Sequence, residues 1–139
     1  DFSRPRFQTV LPDAEVQQPE RVLFCTGKIG HELAAERKRR NDASTAIVSV
    51  EQMYPFPEKE LEEVLGAYSS AEDFVWVQEE PANMGALSFM MARLKRVLRG
   101  RAVRSVKRSA SASPATGSAK AHELEQKTLL ALAFGTGKT

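Results

Sequence analysis

Four short apolar runs separated by helical patterns constrain this chain more than any other feature. Val22, Leu23, Phe24 and Cys25 form an unbroken apolar run closed by Thr26 and Gly27, the pattern of a strand covered on both faces. Residues 46–50 and 74–77 repeat it, while residues 103–107 alternate apolar and polar side chains like a half-exposed edge strand. Between them, residues 28–40 place Ile29 and Leu33 on one helix face. A basic last turn of Arg37, Lys38, Arg39 and Arg40 complements the helix dipole there, and Asn41 and Asp42 stop the helix. Residues 58–68 put Leu61, Val64, Leu65 and Tyr68 at helical spacing, with Pro57 in the first turn. The helix after Gly85 carries Leu87, Met90, Met91, Leu94, Val97 and Leu98, its methionines reading as core filler. Residues 119–134 form a last amphipathic helix, capped by Ser118. Strands alternating with such helices imply βαβ units. The expected class is α/β, a three-layer αβα sandwich on a mostly parallel sheet.

At 139 residues the chain is one domain with room for a core. Residues 1–20, with Pro5, Pro12 and Pro19, read as a connecting arm in which residues 7–11 pair as an edge strand. Residues 21–134 are the α/β domain, and 135–139 a polar tail. The first residue is not Met, so the chain reads as part of a longer protein. No apolar stretch approaches the ~20 residues that span a bilayer. Cys25 is the one cysteine, which excludes an internal disulfide and a cysteine-based zinc site. A net charge of +2 hides an asymmetry, because no acidic residue lies between Pro81 and His122. Arg93, Lys95, Arg96, Arg99, Arg101, Arg104, Lys107, Arg108 and Lys120 all fall in that interval. Such a field suits a phosphate-bearing ligand, nucleic acid or an acidic neighbour, against the plain reading of solvated helix faces.

No motif yields catalytic machinery. Gly135 to Thr139 ends like a phosphate-binding loop but follows a helix and lacks the first glycine, Leu132 standing in its place. Thr26, Gly27 and Lys28 follow a buried strand and open a helix, so their amides suit an anion, although a tight connection is the default explanation. His31 and His122 have no acid–serine or acid–cysteine companions, and neither a triad nor a metal cluster can be assembled. In the run from Trp76 to Gly85 a strand ends in Glu79 and Glu80, then Pro81 and Gly85 open a helix. Carboxylates there lie outside the carboxyl edge of the sheet, where open α/β folds place their contacts. Adjacent on a strand, Glu79 and Glu80 point to opposite faces and read as salt-bridge or cap groups.

Four phrases, in order, resemble the C-terminal domain of the E1 component of 2-oxoglutarate dehydrogenase, in the transketolase superfamily. They are residues 23–28, residues 51–57, residues 76–81 with Asn83 and Gly85, and residues 111–118 with His122, Glu125 and Gln126. The resemblance implies a five-stranded sheet with one antiparallel edge strand. Strand order then reverses between the strand ending at Cys25 and the one ending at Val77. A crevice follows between Thr26, Gly27 and Lys28 on one side and Gln78, Glu79, Glu80 and Asn83 on the other. It further implies a parent enzyme that oxidatively decarboxylates 2-oxoglutarate, with thiamine diphosphate and magnesium bound on preceding domains. That enzyme is a homodimer serving dihydrolipoamide succinyltransferase (E2), in a bacterial cytoplasm or a mitochondrial matrix. By the same resemblance this segment carries no catalytic, cofactor-binding or metal residues. It provides dimer contacts and an effector site for acetyl-CoA or a nucleotide. Arg108, before the small-residue loop, is the expected anion contact, assisted by Arg104, Lys107, Thr26 and Lys28. Two alternatives stand beside this: the matching domain of a sister enzyme such as pyruvate dehydrogenase E1 or transketolase, and a free-standing module binding nucleic acid through its basic stretch. The main expectation includes neither nucleic acid nor membrane as a partner.

Overall fold

The computed structural model describes residues 10, 11, 13, 16–51, 56–81, 87–108 and 119–135. Its elements run β1 (Val10–Leu11), β2 (Arg21–Cys25), α1 (Ile29–Arg40), β3 (Thr45–Val50), α2 (Glu58–Ala67), β4 (Asp73–Pro81), α3 (Leu87–Val97), β5 (Arg104–Arg108) and α4 (Ala119–Ala133). Sheet order is β1-β3-β2-β4-β5. Four strands are parallel, and the two-residue β1 lies antiparallel along the β3 edge. Leu23 sits between Ile47 and Val75, and Phe24 between Val48 and Trp76.

The path steps from β2 out to β3, then back across β2 to β4 and on to β5. Parallel crossovers are right-handed, so this reversal puts the first helix on one face and the next two on the other. Leu23, Cys25, Ile47, Val75, Val77 and Val106 accordingly meet Ile29 and Leu33 of α1 and Leu129, Leu130 and Ala133 of α4. Val22, Phe24, Val48, Phe74 and Trp76 meet Leu61 and Leu65 of α2 and Met90, Leu94 and Val97 of α3. The result is the expected three-layer sandwich.

Several boundaries move by a residue or more. Pro57 precedes α2 and its carbonyl accepts from the Leu61 N–H at 3.0 Å, so it flanks the helix instead of entering its first turn. β4 continues past Val77 to Pro81, because it pairs onward with β5 after a register shift, Pro81 facing Arg108. Of the expected edge strand only Val10 and Leu11 lie within the described residues. Asn83, Gly85, the loop 109–118 with its Ser118 cap, and residues 136–139 of the tail lie outside them.

Two local devices shape the α1 ends. Gly27 has φ +79, a conformation that favours glycine, and it turns the chain from β2 into α1. Asn41 closes the helix in the left-handed region at φ 57, with the Asp42 N–H returning to the Arg37 carbonyl at 3.1 Å, a Schellman-type end. Asp42 then accepts from the Ser44 N–H at 2.7 Å and the Thr45 hydroxyl at 2.8 Å, starting β3.

The described part of the arm is built into the domain. Val10 and Val16 are buried in the α2/α3-side core. Asp13 crosses to the sheet edge beyond β1, where its carboxylate accepts from the Ile47 N–H at 2.9 Å. Arg37, expected as one of the last-turn cations that complement the helix dipole, is buried: its guanidinium pairs with Asp13 and donates to the Thr45 carbonyl at 3.0 Å. The Tyr68 hydroxyl donates to the Asp13 carbonyl at 3.0 Å and accepts from its N–H at 3.2 Å. One aspartate thus ties the arm to β3, α1 and the end of α2. Removing one member of a buried pair strands the other charge. Asp13→Ala should therefore lower stability by about 3 kcal/mol, read as a lower midpoint in urea unfolding. Cys25 offers a second check. Burial pushes its thiol up to about 12, with the Ser49 hydroxyl opposing and Glu51 adding to the rise. A disulfide reagent at pH 8 should leave native Cys25 unmodified and label it stoichiometrically in denaturant.

Candidate functional site

Polar side chains collect at the two ends of the sheet, and the arginines expected to act together divide between them. Arg104, Val106 and Arg108 alternate along β5 and face α4, but Arg104 and Arg108 lie four positions, roughly 13 Å, apart. Arg104 belongs to the amino edge. Its guanidinium grips Asp73 at 3.1 and 3.0 Å and donates to the Leu132 carbonyl at 3.0 Å, holding the end of α4. Arg21 reaches the same Asp73 at 2.9 Å and the Thr45 hydroxyl at 3.2 Å. This cluster fastens β2, β4, β5 and α4 where the strands begin.

Arg108 belongs to the carboxyl edge and is largely covered, its side chain 13% exposed. It donates to Glu125 at 3.1 Å and to the side-chain oxygen of Gln126. The Gln126 amide in turn donates to Glu32, in the first turn of α1, and to Glu79 of β4 at 3.2 Å. One glutamine therefore joins α1, β4, β5 and α4, linking the Arg108–Glu125 pair to the carboxylates of Glu32 and Glu79. Glu79 faces this α1/α4 side. On the other side the Trp76 indole N–H donates to the buried Gln78 at 2.8 Å, and the Gln78 amide donates to the Glu80 carbonyl at 2.9 Å. Gln78, expected as a crevice residue, is bonded to the core tryptophan and to the Glu80 backbone.

The strand-order reversal lies where expected. Strand order reverses between β2 and β4, whose ends carry Thr26, Gly27 and Lys28 on one side and Gln78 to Glu80 on the other. Lys28 is exposed and Thr26 half-buried, while Lys107 is half-buried next to Arg108 and alternates to the opposite sheet face. Asn83 lies outside the described residues. His31 and His122 stand exposed on separate helices.

The basic stretch does not form one surface. Arg96 and Arg99 meet Glu58 and Glu62 of α2 at 3.6 and 4.0 Å. Arg93 and Arg101 lie over the Phe89 and Phe74 rings, each at 4.8 Å. Sequence reasoning missed Glu32 and the linking role of Gln126. The alternation of Arg104, Val106 and Arg108 was the available signal, since it fixes which residues the next helix must cover.

The sequence matches the family described as 2-oxoglutarate dehydrogenase C-terminal over residues 1–134. The chain belongs to that family. It is 38% identical over 138 residues to the 2-oxoglutarate dehydrogenase E1 component of Cupriavidus necator, covering 96% of this chain and 14% of that protein. It is 35% identical over 134 residues to the oxoglutarate dehydrogenase of Buchnera aphidicola subsp. Baizongia pistaciae, covering 94% of this chain and 15% of that protein. The chain thus spans about one-seventh of the length of these relatives. Among the described residues no helix is long and apolar enough to cross a membrane.

The amino-edge cluster of this family member makes a test in acid. Burial raises the Asp73 carboxyl, but hydrogen bonds from Arg104 and Arg21 outweigh it and hold the group below its usual value. Its contribution is therefore complete above the unfolded value near 3.9 and is lost as pH falls through the lower folded value. Asp73→Asn should be less stable than the parent at pH 7, with the gap narrowing below about pH 4 in urea unfolding followed against pH.

Proposed function

We propose that this chain serves as the C-terminal domain of a 2-oxoglutarate dehydrogenase E1, an oxidoreductase that decarboxylates 2-oxoglutarate and passes the succinyl group to the lipoamide of E2. The observation that carries this reading is the family match along residues 1–134, together with a sheet whose strand order reverses between β2 and β4. Thiamine diphosphate and magnesium belong, on this reading, to domains outside the segment. Among the described residues no three His, Cys, Asp or Glu side chains come together as metal ligands. No catalytic step is assigned to the described residues. The domain's contribution is structural, supporting the upstream domains of its own chain and a homodimer. The compartment of a bacterial member is the cytoplasm.

A regulatory role is the finer part of the proposal. Arg108 is the anion contact for an effector such as acetyl-CoA or a nucleotide, since phosphate oxygens match a guanidinium fork. Thr26 and Lys28 approach from the β2 side of the crevice, and Lys107 adds positive potential. Arg104 was grouped with these on sequence; its bonds to Asp73 and the α4 carbonyls favour a structural role for it. An incoming anion competes with Glu125 for the Arg108 guanidinium. The alternative of a nucleic-acid module is disfavoured by the dispersal of the basic stretch among α2 carboxylates and aromatic rings. The sister-enzyme alternative is disfavoured by the family match.

Calorimetry of acetyl-CoA against the complete parent enzyme tests the effector site. Arg108→Ala should weaken binding at least about tenfold, as loss of a charge-assisted hydrogen bond does. Arg104→Ala should leave affinity within about twofold while lowering thermal stability. Equal heats from the parent and Arg108→Ala remove Arg108 from the site.

A further inference from the structure

Helix α4 is fastened to the domain in two chemically different ways. Its buried residues, Leu129, Leu130 and Ala133, all lie in its last five positions, and Phe134 follows them into the core. Arg104 adds a bond to the Leu132 carbonyl at that same end. None of residues 119–128 is buried, and Leu124 is 66% exposed. There the helix meets the body through polar groups, Glu125 and Gln126 against Arg108, Glu32 and Glu79.

From this asymmetry we infer that the amino half of α4, residues 119–128, is a polar-latched flap over the carboxyl edge, with Gln126 as its latch. The half without buried apolar groups opens at a free energy well below that of the core, because local stability follows such burial. Gln126 is suited to the latch because its neutral amide satisfies both polarities at once. Its oxygen accepts from Arg108, and its nitrogen donates to Glu32 and Glu79. The node carries three carboxylates against one guanidinium, so the amide hydrogens are what hold Glu32 and Glu79 together. Opening uncovers Arg108 while leaving the apolar anchor of α4 in place. The consequence for anion binding rests on the effector reading above; the flap itself does not.

Hydrogen exchange of the full polypeptide without ligand, read by mass spectrometry, tests it. In the parent protein, peptides from residues 119–128 should exchange at least about tenfold faster than those from residues 129–133. Gln126→Ala should speed the first set by roughly another tenfold, with β2, β4 and residues 129–133 changed less than about twofold. Gln126→Glu places a fourth carboxylate in the node and should open it further, an effect that shrinks as salt is raised. Uniform protection along α4 in the parent protein overturns the inference, whatever the variants do. So does equal loss of protection in both halves of the helix, or a Gln126→Glu effect that salt does not reduce.

Discussion

Burial of β2 on both faces is the constraint on which the rest of this domain depends. Val22, Leu23, Phe24 and Cys25 have no exposed surface, and each faces a helical layer on its own side of the sheet. A parallel strand in that position has no solvated face on which to carry a functional group. Chemistry is therefore confined to the sheet's two ends. The chain must also leave β2 in one direction and return on the other, which separates the loops after β2 and β4 at the carboxyl edge.

The two ends use charge differently. At the amino edge Arg21 and Arg104 share Asp73, and Arg104 also satisfies helix carbonyls, so the bonds there close in on themselves. The carboxyl edge pairs Glu125 with Arg108 and depends on the uncharged Gln126 amide to tie in Glu32 and Glu79. A stretch of sequence without acidic residues therefore does not become a basic face. Helical and strand periodicities turn successive arginines in different directions, and α2 brings its carboxylates to those on the end of α3.

Features fixed by neighbours in sequence were legible from the start. The apolar runs, the helix spacings and the stop at Asn41 all came from local pattern, and strand order at the crevice agreed with the family resemblance. Contacts across the chain were not legible. Asp13 binds the Ile47 amide 34 positions away and Tyr68 55 positions away, and nothing around a Pro12–Asp13 pair announces either partner. Nor does a spacing of four separate Arg104 from Arg108. On a strand it gives a shared face but opposite ends, and only placing α4 shows that one caps a helix and the other enters the polar node. β4 ran longer than its apolar segment because pairing with β5, not hydrophobicity, carries it to Pro81.

Apolar burial and hydrogen bonding also hold position with different tolerance, and this bears on how the carboxyl edge responds to a ligand. Burial is non-directional and close to proportional to area, so the last turns of α4 keep most of their stabilisation through small rotations. Hydrogen bonds weaken steeply once misaligned, so the same rotations break the Gln126 node. The node draws its members from four elements and therefore registers their relative placement more finely than the core does. A ligand that prefers Arg108 released from Glu125 shifts this equilibrium only by its own difference in affinity for the two arrangements. That difference acts against a few polar contacts and leaves the apolar anchor of α4 untouched. Placing the junction between two kinds of attachment within one helix thus separates contacts that tolerate small rotations from contacts that do not, above a sheet that both leave undisturbed.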